Sequence, residues 1–193
     1  MAPGITLVLG GARSGKSELA EELVAGQARD TGLPVTYVAT AAAAPGDDPD
    51  WSARVAAHRA RRPGSWTTVE VGAGGSIVGA LTATAGIVLL DSLGVWVAGT
   101  PMRGGRFLPE TDALCEALQT RIDRLGPTVV VSDEVGLGVH PSTEAGRAYR
   151  DALGEVNRAV ADVAGRVLLV VAGRILELPP PAGMSVRAVR TEP

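Results

Sequence analysis

Residues 10–17 carry the strongest chemical signal in the chain. Gly10-Gly11-Ala12-Arg13-Ser14-Gly15-Lys16-Ser17 has the spacing G-x-x-x-x-G-K-[ST], and it lies between an apolar run and an amphipathic segment. Glycines at that spacing let the backbone curl so that successive N–H groups converge on phosphate oxygens. The helix that follows adds its positive N-terminal end. Lys16 is then placed to reach β- and γ-phosphates, and Ser17 to ligate Mg²⁺. Among the 18 Lys and Arg residues Lys16 is the sole lysine. A compact ammonium kept here, in a chain that otherwise uses arginine, suits a point charge on phosphate better than a planar fork.

A magnesium shell also needs an acid at the end of a neighbouring buried strand. Ile87-Val88-Leu89-Leu90-Asp91 has that form, and Thr128-Val129-Val130-Val131-Ser132-Asp133-Glu134 ends in two acids. Strand-end acids also serve as helix N-caps, and sequence order does not choose between the two runs.

A second constellation surrounds His58. Asp50 is placed to N-cap a helix over 51–61 that Pro63-Gly64 would stop. On it Trp51, Val55, His58 and Arg62 share a face, so the histidine points toward the fold. Arg54, Arg61 and Arg62 lie three or four residues from His58. Their charge disfavours an imidazolium, favours a neutral nucleophilic ring, and could hold a phosphate chain. A lone histidine on an amphipathic helix is more often a hydrogen-bonding spacer, and the one competitor for the role is His140.

The elements that must position these groups follow from hydrophobic period. Short apolar runs at 5–9, 35–39, 87–90, 129–131 and 167–172 predict buried strands; helical patterns fill 17–28, 51–61, 111–125 and 143–164. The alternation predicts an α/β fold, P-loop NTPase-like, with a doubly wound, mainly parallel sheet flanked by helices. Residues 72–84 lack clear periodicity, and residues 99–109 are expected to form a loop. Residues 1–178 are expected to form one domain. Residues 179–193, which open Pro179-Pro180-Pro181, form a Pro-rich tail that can continue neither a helix nor a central strand.

Composition narrows the partners. A net charge of −3 gives no global field to attract nucleic acid. The single cysteine, Cys115, allows no internal disulfide, and no apolar stretch reaches the roughly 18 residues of a membrane span. These features predict a cytoplasmic protein without a bulk polyanion as partner.

The ordered blocks together are specific. After residues 10–17 come Tyr37-Val38-Ala39-Thr40-Ala41 and Arg54-Val55-Ala56-Ala57-His58-Arg59-Ala60-Arg61-Arg62-Pro63, with Trp66 and Glu70. Then come Leu89-Leu90-Asp91-Ser92-Leu93 with Trp96, Val131-Ser132-Asp133-Glu134-Val135-Gly136-Leu137-Gly138-Val139 with Pro141, and Arg150-Asp151 with Gly154 and Asn157. Over about residues 5 to 173 this series resembles the bifunctional adenosylcobinamide kinase / adenosylcobinamide-phosphate guanylyltransferases of cobalamin biosynthesis.

The resemblance implies two reactions. A nucleoside triphosphate, GTP or ATP, phosphorylates the aminopropanol hydroxyl of adenosylcobinamide. GTP then guanylylates the enzyme, and GMP passes to the phosphorylated corrinoid to give adenosylcobinamide-GDP. The matching histidine is His58, whose phosphoramidate would be a high-energy carrier. By the same comparison Ala39, Thr40, Ala41, Arg61, Arg62, Pro63, Glu70 and Asp91 join residues 10–17 in the nucleotide pocket. Ser17, with Asp91 or Glu134 as the strand-end acid, is the magnesium set of the phosphate-site reading, and a ring-like homotrimer is the assembly that the resemblance implies. The chain departs from the family pattern at Asp133, where asparagine is usual, and at Gly94 and Gly99, where threonine and asparagine are common. Other readings of the residues are a P-loop small-molecule kinase without guanylyl transfer and a non-catalytic GTP-binding module.

Overall fold

The computed structural model describes residues 4–40, 49–72, 75–104, 106–107 and 109–180. A seven-stranded sheet runs β3-β2-β4-β7-β1-β8-β9. Its strands are β1 (Ile5–Gly10), β2 (Val35–Ala39), β3 (Thr67–Glu70), β4 (Ile87–Asp91), β7 (Thr128–Asp133), β8 (Arg166–Val171) and β9 (Arg174–Glu177). All neighbours pair in parallel except β8 and β9. The strands β3, β2, β4, β7, β1 and β8 therefore deliver their carboxyl ends to one edge, where ligands of such sheets bind. A separate two-stranded hairpin joins β5 (Met102–Arg103) to β6 (Arg106–Phe107), so part of the stretch expected to be a loop is paired backbone.

Alternation along the central strands sends side chains to two cores. Ile5, Leu7 and Leu9 face one way, with Val88, Leu90 and Val130. They pack under α3 (Ile77–Ala83), α4 (Leu93–Gly99), α5 (Thr111–Arg124) and α6 (Glu144–Val163). Val8, Ile87, Leu89, Val129, Val131 and Leu168 face the other way, against Ala20 and Val24 of α1 (Lys16–Thr31). Each such aliphatic side chain contributes about 1.5–3 kcal/mol on burial, so the sheet is held from both faces.

Several elements differ from the sequence reading, for local reasons. α3 and α4 each span seven residues, too short to show a helical period, yet each has a serine N-cap. Ser76 Oγ accepts from the Gly79 N–H at 3.0 Å, and Ser92 Oγ from the Val95 N–H at 3.4 Å. β3 is a mostly exposed edge strand, Thr-Thr-Val-Glu, with no apolar run to announce it. The histidine helix, α2 (Pro49–Arg61), begins two residues earlier than expected, which puts Asp50 inside the helix rather than at its cap. Proline is well suited to that first position. β8 turns back into β9 through Ala172 and Gly173, both left-handed at φ 49° and 71°, the two-residue hairpin geometry that matches strand twist.

One buried cation ties the apolar-rich side together. Arg121 of α5 is fully buried; it donates to Thr128 Oγ1 at 3.0 Å, to the carbonyls of Leu81 at 2.6 Å and Gly86 at 2.8 Å, and to that of Thr84. Burial pushes its pKa down to about 10, which still leaves it charged at neutral pH. It closes the C-terminal end of α3 against the starts of β4 and β7. Arg121→Met should leave these carbonyls unpaired and cost on the order of 3 kcal/mol. That loss would appear as a lower urea midpoint at unchanged slope; a midpoint equal to wild type would mean that the carbonyls find other partners.

Candidate active site

The turn after β1 has the shape that phosphate binding requires. A Cβ on Gly10 would lie 2.4 Å from Ser14 Oγ and 2.8 Å from the Val170 carbonyl oxygen, so only glycine fits. Gly15, at φ 96°, caps α1, and Lys16 and Ser17 begin the helix with N–H groups that no preceding turn can satisfy. Gly11 and Lys16 are half-buried, Ala12 and Arg13 exposed, and Ser14 Oγ is buried without a hydrogen-bond partner. Two neighbours prop the turn. The Glu134 N–H donates to the Gly10 carbonyl at 3.1 Å, and the Gly173 N–H to the Ser14 carbonyl at 2.9 Å.

Lys16 Nζ donates to the Gly11 carbonyl at 3.2 Å and pairs with Asp133 Oδ1 at 2.8 Å. Asp133 ends β7, opposite Gly10 in register. Its backbone is fixed from α6: Asn157 Nδ2 donates to the Asp133 carbonyl at 3.0 Å, and Ser132 Oγ donates to Asn157 Oδ1 at 2.5 Å. Its other carboxylate oxygen occupies the space at Gly94, where a Cβ would lie 2.2 Å away and 3.0 Å from the Tyr149 hydroxyl. Burial, then the Asp133 charge, push the Tyr149 pKa up to about 12. Two positions that depart from the resembled pattern, Gly94 and Asp133, thus depend on each other for room.

His58 stands on α2 facing the ends of α1 and β4. Its Nδ1 lies 3.7 Å from both Glu21 Oε1 and Asp91 Oδ2, and 3.2 Å from Arg61 Nη2. The surroundings are therefore not all positive, as spacing along the helix suggests. Arg61 is bidentate on Glu21, at 3.1 and 3.3 Å, and Arg59 pairs with Glu70. Helical spacing places the arginines near His58 but cannot show the acids that α1 and β4 bring to meet them. Burial pushes the Glu21 carboxyl up, but the facing His58 and Arg61 outweigh it and leave it below the ordinary carboxylate value. Asp91 also accepts from the Tyr37 hydroxyl at 2.6 Å. Burial, then that carboxylate, push the phenol well above its usual pKa. The Arg62 guanidinium lies 3.3 Å above the Tyr37 ring.

The remaining residues singled out in the sequence spread along the same edge. Ala39 ends β2, and its carbonyl accepts from the Val71 N–H at 2.8 Å. Thr40 clasps the next strand: its hydroxyl donates to the Ser92 carbonyl at 2.7 Å and accepts from the Ser92 N–H at 2.9 Å. Pro63 is exposed and accepts from the Trp66 N–H at 3.0 Å in the turn after α2. Glu70, at the end of β3, lies four strand spacings from β1, roughly 19 Å at ~4.8 Å each. Ala41 falls outside the described residues. His140 is apart from this group, exposed beside Arg150 Nη1 at 2.8 Å.

Among the described residues no three His, Cys, Asp or Glu side chains converge as a metal cage. Magnesium does not need one, since it is held by one or two protein oxygens, substrate phosphates and water. Ser17 in the first turn of α1 fits that mode. Of the acids, Asp91 is engaged by Tyr37 and Glu134 turns back on the Gly136 N–H at 2.7 Å. Asp133 is the acid in direct contact with Lys16. Glu21, Tyr37 and the Gly94–Asp133 fit were missed in the sequence because only tertiary contact reveals them.

Residues 6–178 match the family described as cobinamide kinase / cobinamide phosphate guanyltransferase. The chain belongs to that family. The bifunctional adenosylcobalamin biosynthesis protein CobP of Pseudomonas aeruginosa is 41% identical over 170 residues, covering 86% of this chain and 92% of its own length. CobU of Escherichia coli K12, of the same description, is 33% identical over 180 residues, 86% and 95% of the two lengths. The flagellar accessory protein FlaH of Methanocaldococcus jannaschii shares the fold alone, with a TM-score of 0.50 at 12% identity over 89% of this chain and 74% of its own. As a member of the cobinamide kinase / guanyltransferase family the chain is a bifunctional enzyme of cobalamin biosynthesis, a kinase and a nucleotidyltransferase. Among the described residues no helix is long and apolar enough to cross a membrane.

The contact between Gly94 and Asp133 can be tested by a double-mutant cycle. Gly94→Ala should cost about 1–3 kcal/mol by overpacking in the wild-type chain. In an Asp133→Ala background, where the clash is gone, the same change should cost less than half as much. Equal costs in urea unfolding would show that the two positions do not share the space.

Proposed function

We propose that the chain phosphorylates the aminopropanol hydroxyl of adenosylcobinamide and then passes GMP from GTP, by way of a guanylyl group on His58, to give adenosylcobinamide-GDP. The observation that carries this reading is the placement of His58. It faces Glu21, five residues along α1 from Lys16, or ~7.5 Å of helix rise. A triphosphate gathered at the start of α1 would therefore have a nucleophile close beside its chain. The turn of residues 10–17 would hold phosphates through backbone N–H groups and Lys16. Ala39, Thr40, Ala41, Arg61, Arg62, Pro63, Glu70 and Asp91 would line the rest of the nucleotide site toward β3.

In the kinase step the substrate hydroxyl attacks the γ-phosphorus of ATP or GTP, the bond to the bridging oxygen breaks, and the diphosphate leaves. In the second step the His58 imidazole attacks the α-phosphorus of GTP and pyrophosphate leaves. An oxygen of the corrinoid phosphate then attacks that phosphorus and regenerates the ring. Magnesium, held by Ser17 and one of the strand-end acids, Asp91, Glu134 or Asp133, the last already in contact with Lys16, would neutralise developing phosphate charge. Lys16 must leave Asp133 to meet the phosphates, an exchange of one anion for another. Arg61, a planar fork already bidentate on a carboxylate, can make the same pair of bonds to phosphate.

GTP labelled at the α-phosphorus, supplied without corrinoid, should leave label on the protein that survives alkali and is lost in acid. His58→Ala should abolish that label and still bind GTP; normal labelling of this variant would rule out His58 as the carrier. Phosphorylation of cobinamide without any protein label would identify a kinase lacking the second activity. Lys16→Ala should slow both reactions by roughly 100-fold or more, because phosphate charge is uncompensated in ground and transition states alike.

A further inference from the structure

Glu21 belongs to none of the motifs, yet it is the carboxylate around which the His58 cluster is arranged. Its side chain is 13% exposed; Oε2 accepts from Arg61 Nε at 3.1 Å, and Oε1 accepts from Arg61 Nη2 at 3.3 Å. The same Oε1 lies 3.7 Å from His58 Nδ1. Arg61 Nη2 also lies 3.2 Å from that Nδ1, and a guanidinium can only donate. In this arrangement Nδ1 is an acceptor, so the proton of a neutral ring resides on Nε2, and neither nitrogen is a free nucleophile. Attack by Nε2 needs the opposite tautomer, with the proton on Nδ1 and an acceptor facing it. Asp91 Oδ2 is equally near, but it already accepts from the Tyr37 hydroxyl at 2.6 Å. Glu21 Oε1 is held from the ring only by Arg61.

We propose that Glu21 is the positioning residue of guanylyl transfer: when a nucleotide phosphate draws Arg61 away, Oε1 accepts the hydrogen bond from Nδ1–H and leaves Nε2 as the nucleophile. The inference rests on His58 as the guanylyl carrier and adds the device that makes its ring reactive only with nucleotide in place. The step balances. The Nε2 lone pair forms the bond to the α-phosphorus, the bond from that phosphorus to the bridging oxygen breaks, and pyrophosphate leaves with the electron pair. The proton stays on Nδ1, and the positive charge that the ring acquires faces the Glu21 carboxylate. Transfer of GMP to the corrinoid phosphate returns the lone pair to Nε2. Arg61 thereby reports nucleotide binding to the histidine, and Glu21 converts that report into a tautomer.

The chain contains two histidines, so a ¹⁵N histidine spectrum holds two rings, and His58→Ala assigns them. Without nucleotide, wild-type His58 should show the Nε2–H tautomer. With magnesium and a GTP analogue that cannot be cleaved between the α- and β-phosphates, it should show Nδ1–H. Retention of Nε2–H in the nucleotide complex overturns the proposal whatever any variant does. Glu21→Gln should lose the switch and form labelled protein about 100-fold more slowly at saturating GTP, the scale of a lost proton-handling contact. Its GTP affinity should stay within about threefold of wild type, which separates a rate effect from a binding effect. Glu21→Asp, which keeps the charge, should recover part of the rate, whereas a purely structural role would lower the melting temperature and leave the tautomer unmoved. If His58→Ala still takes label, the carrier assignment itself fails. If His58→Ala is dead but Glu21→Gln labels at the wild-type rate and switches tautomer, only the role of Glu21 fails.

Discussion

Most backbone N–H groups of the turn between β1 and α1 must stay unspent, and much of the surrounding structure is what makes that possible. Such a turn has little stability of its own, since each internal hydrogen bond consumes a donor, and the one it makes runs from the Ser14 N–H to the Gly11 carbonyl at 3.3 Å. Support therefore comes through its carbonyls instead. Gly10 O is held by the Glu134 N–H and Ser14 O by the Gly173 N–H, so β7 on one side and the β8–β9 hairpin on the other brace it without touching its donors. The missing side chain at Gly10 follows from the same constraint, because the braced turn lies too close to Val170 and Ser14 for a Cβ.

Charges along the edge are arranged on a similar plan. Lys16 rests on Asp133, Arg61 on Glu21, and Arg59 on Glu70, so three cations along this edge have carboxylate partners before any substrate arrives. Only the Arg59–Glu70 pair is exposed enough to be worth about 0–1 kcal/mol; the other two are partly buried, so a phosphate has to replace the carboxylate as it leaves. What the pairs supply is orientation: a guanidinium already held in a bidentate geometry has lost the rotamer freedom that phosphate binding would otherwise remove.

How much of this could be read in the sequence depends on whether the cause is local. β1, β2, β4, β7 and β8 are continuous apolar runs because each is covered on both faces, and runs of that kind stand out. The turn at residues 10–17 is equally visible, since its glycines and lysine answer to neighbours in sequence. α3 and α4 escape because seven residues hold too few turns for a period, and β3 because an exposed edge strand has no reason to be apolar. The surroundings of His58 were half legible. The arginines lie on its own helix, whereas Glu21 and Asp91 arrive from α1 and β4, 37 residues before and 33 after it in the chain. A charge census along one helix describes only the side of the ring that the helix itself supplies.

The same distinction explains why Asp133 and Gly94 look like two unrelated departures in sequence and one arrangement in space. Asp133 is confined on three sides: its carbonyl is tied to Asn157, one carboxylate oxygen pairs with Lys16, and the other fills the volume left by Gly94 beside the Tyr149 hydroxyl. Of these restraints only the pairing with Lys16 would be broken by an incoming phosphate. The carboxylate cannot follow the ammonium, because its backbone is fixed by register with β1 and by α6. A negative charge therefore remains at the strand end, next to the phosphates that have just displaced it. Two anions brought together in a half-buried site repel unless a cation lies between them. An asparagine at that position would carry no such charge, so the carboxylate would favour a cation bound together with the nucleotide.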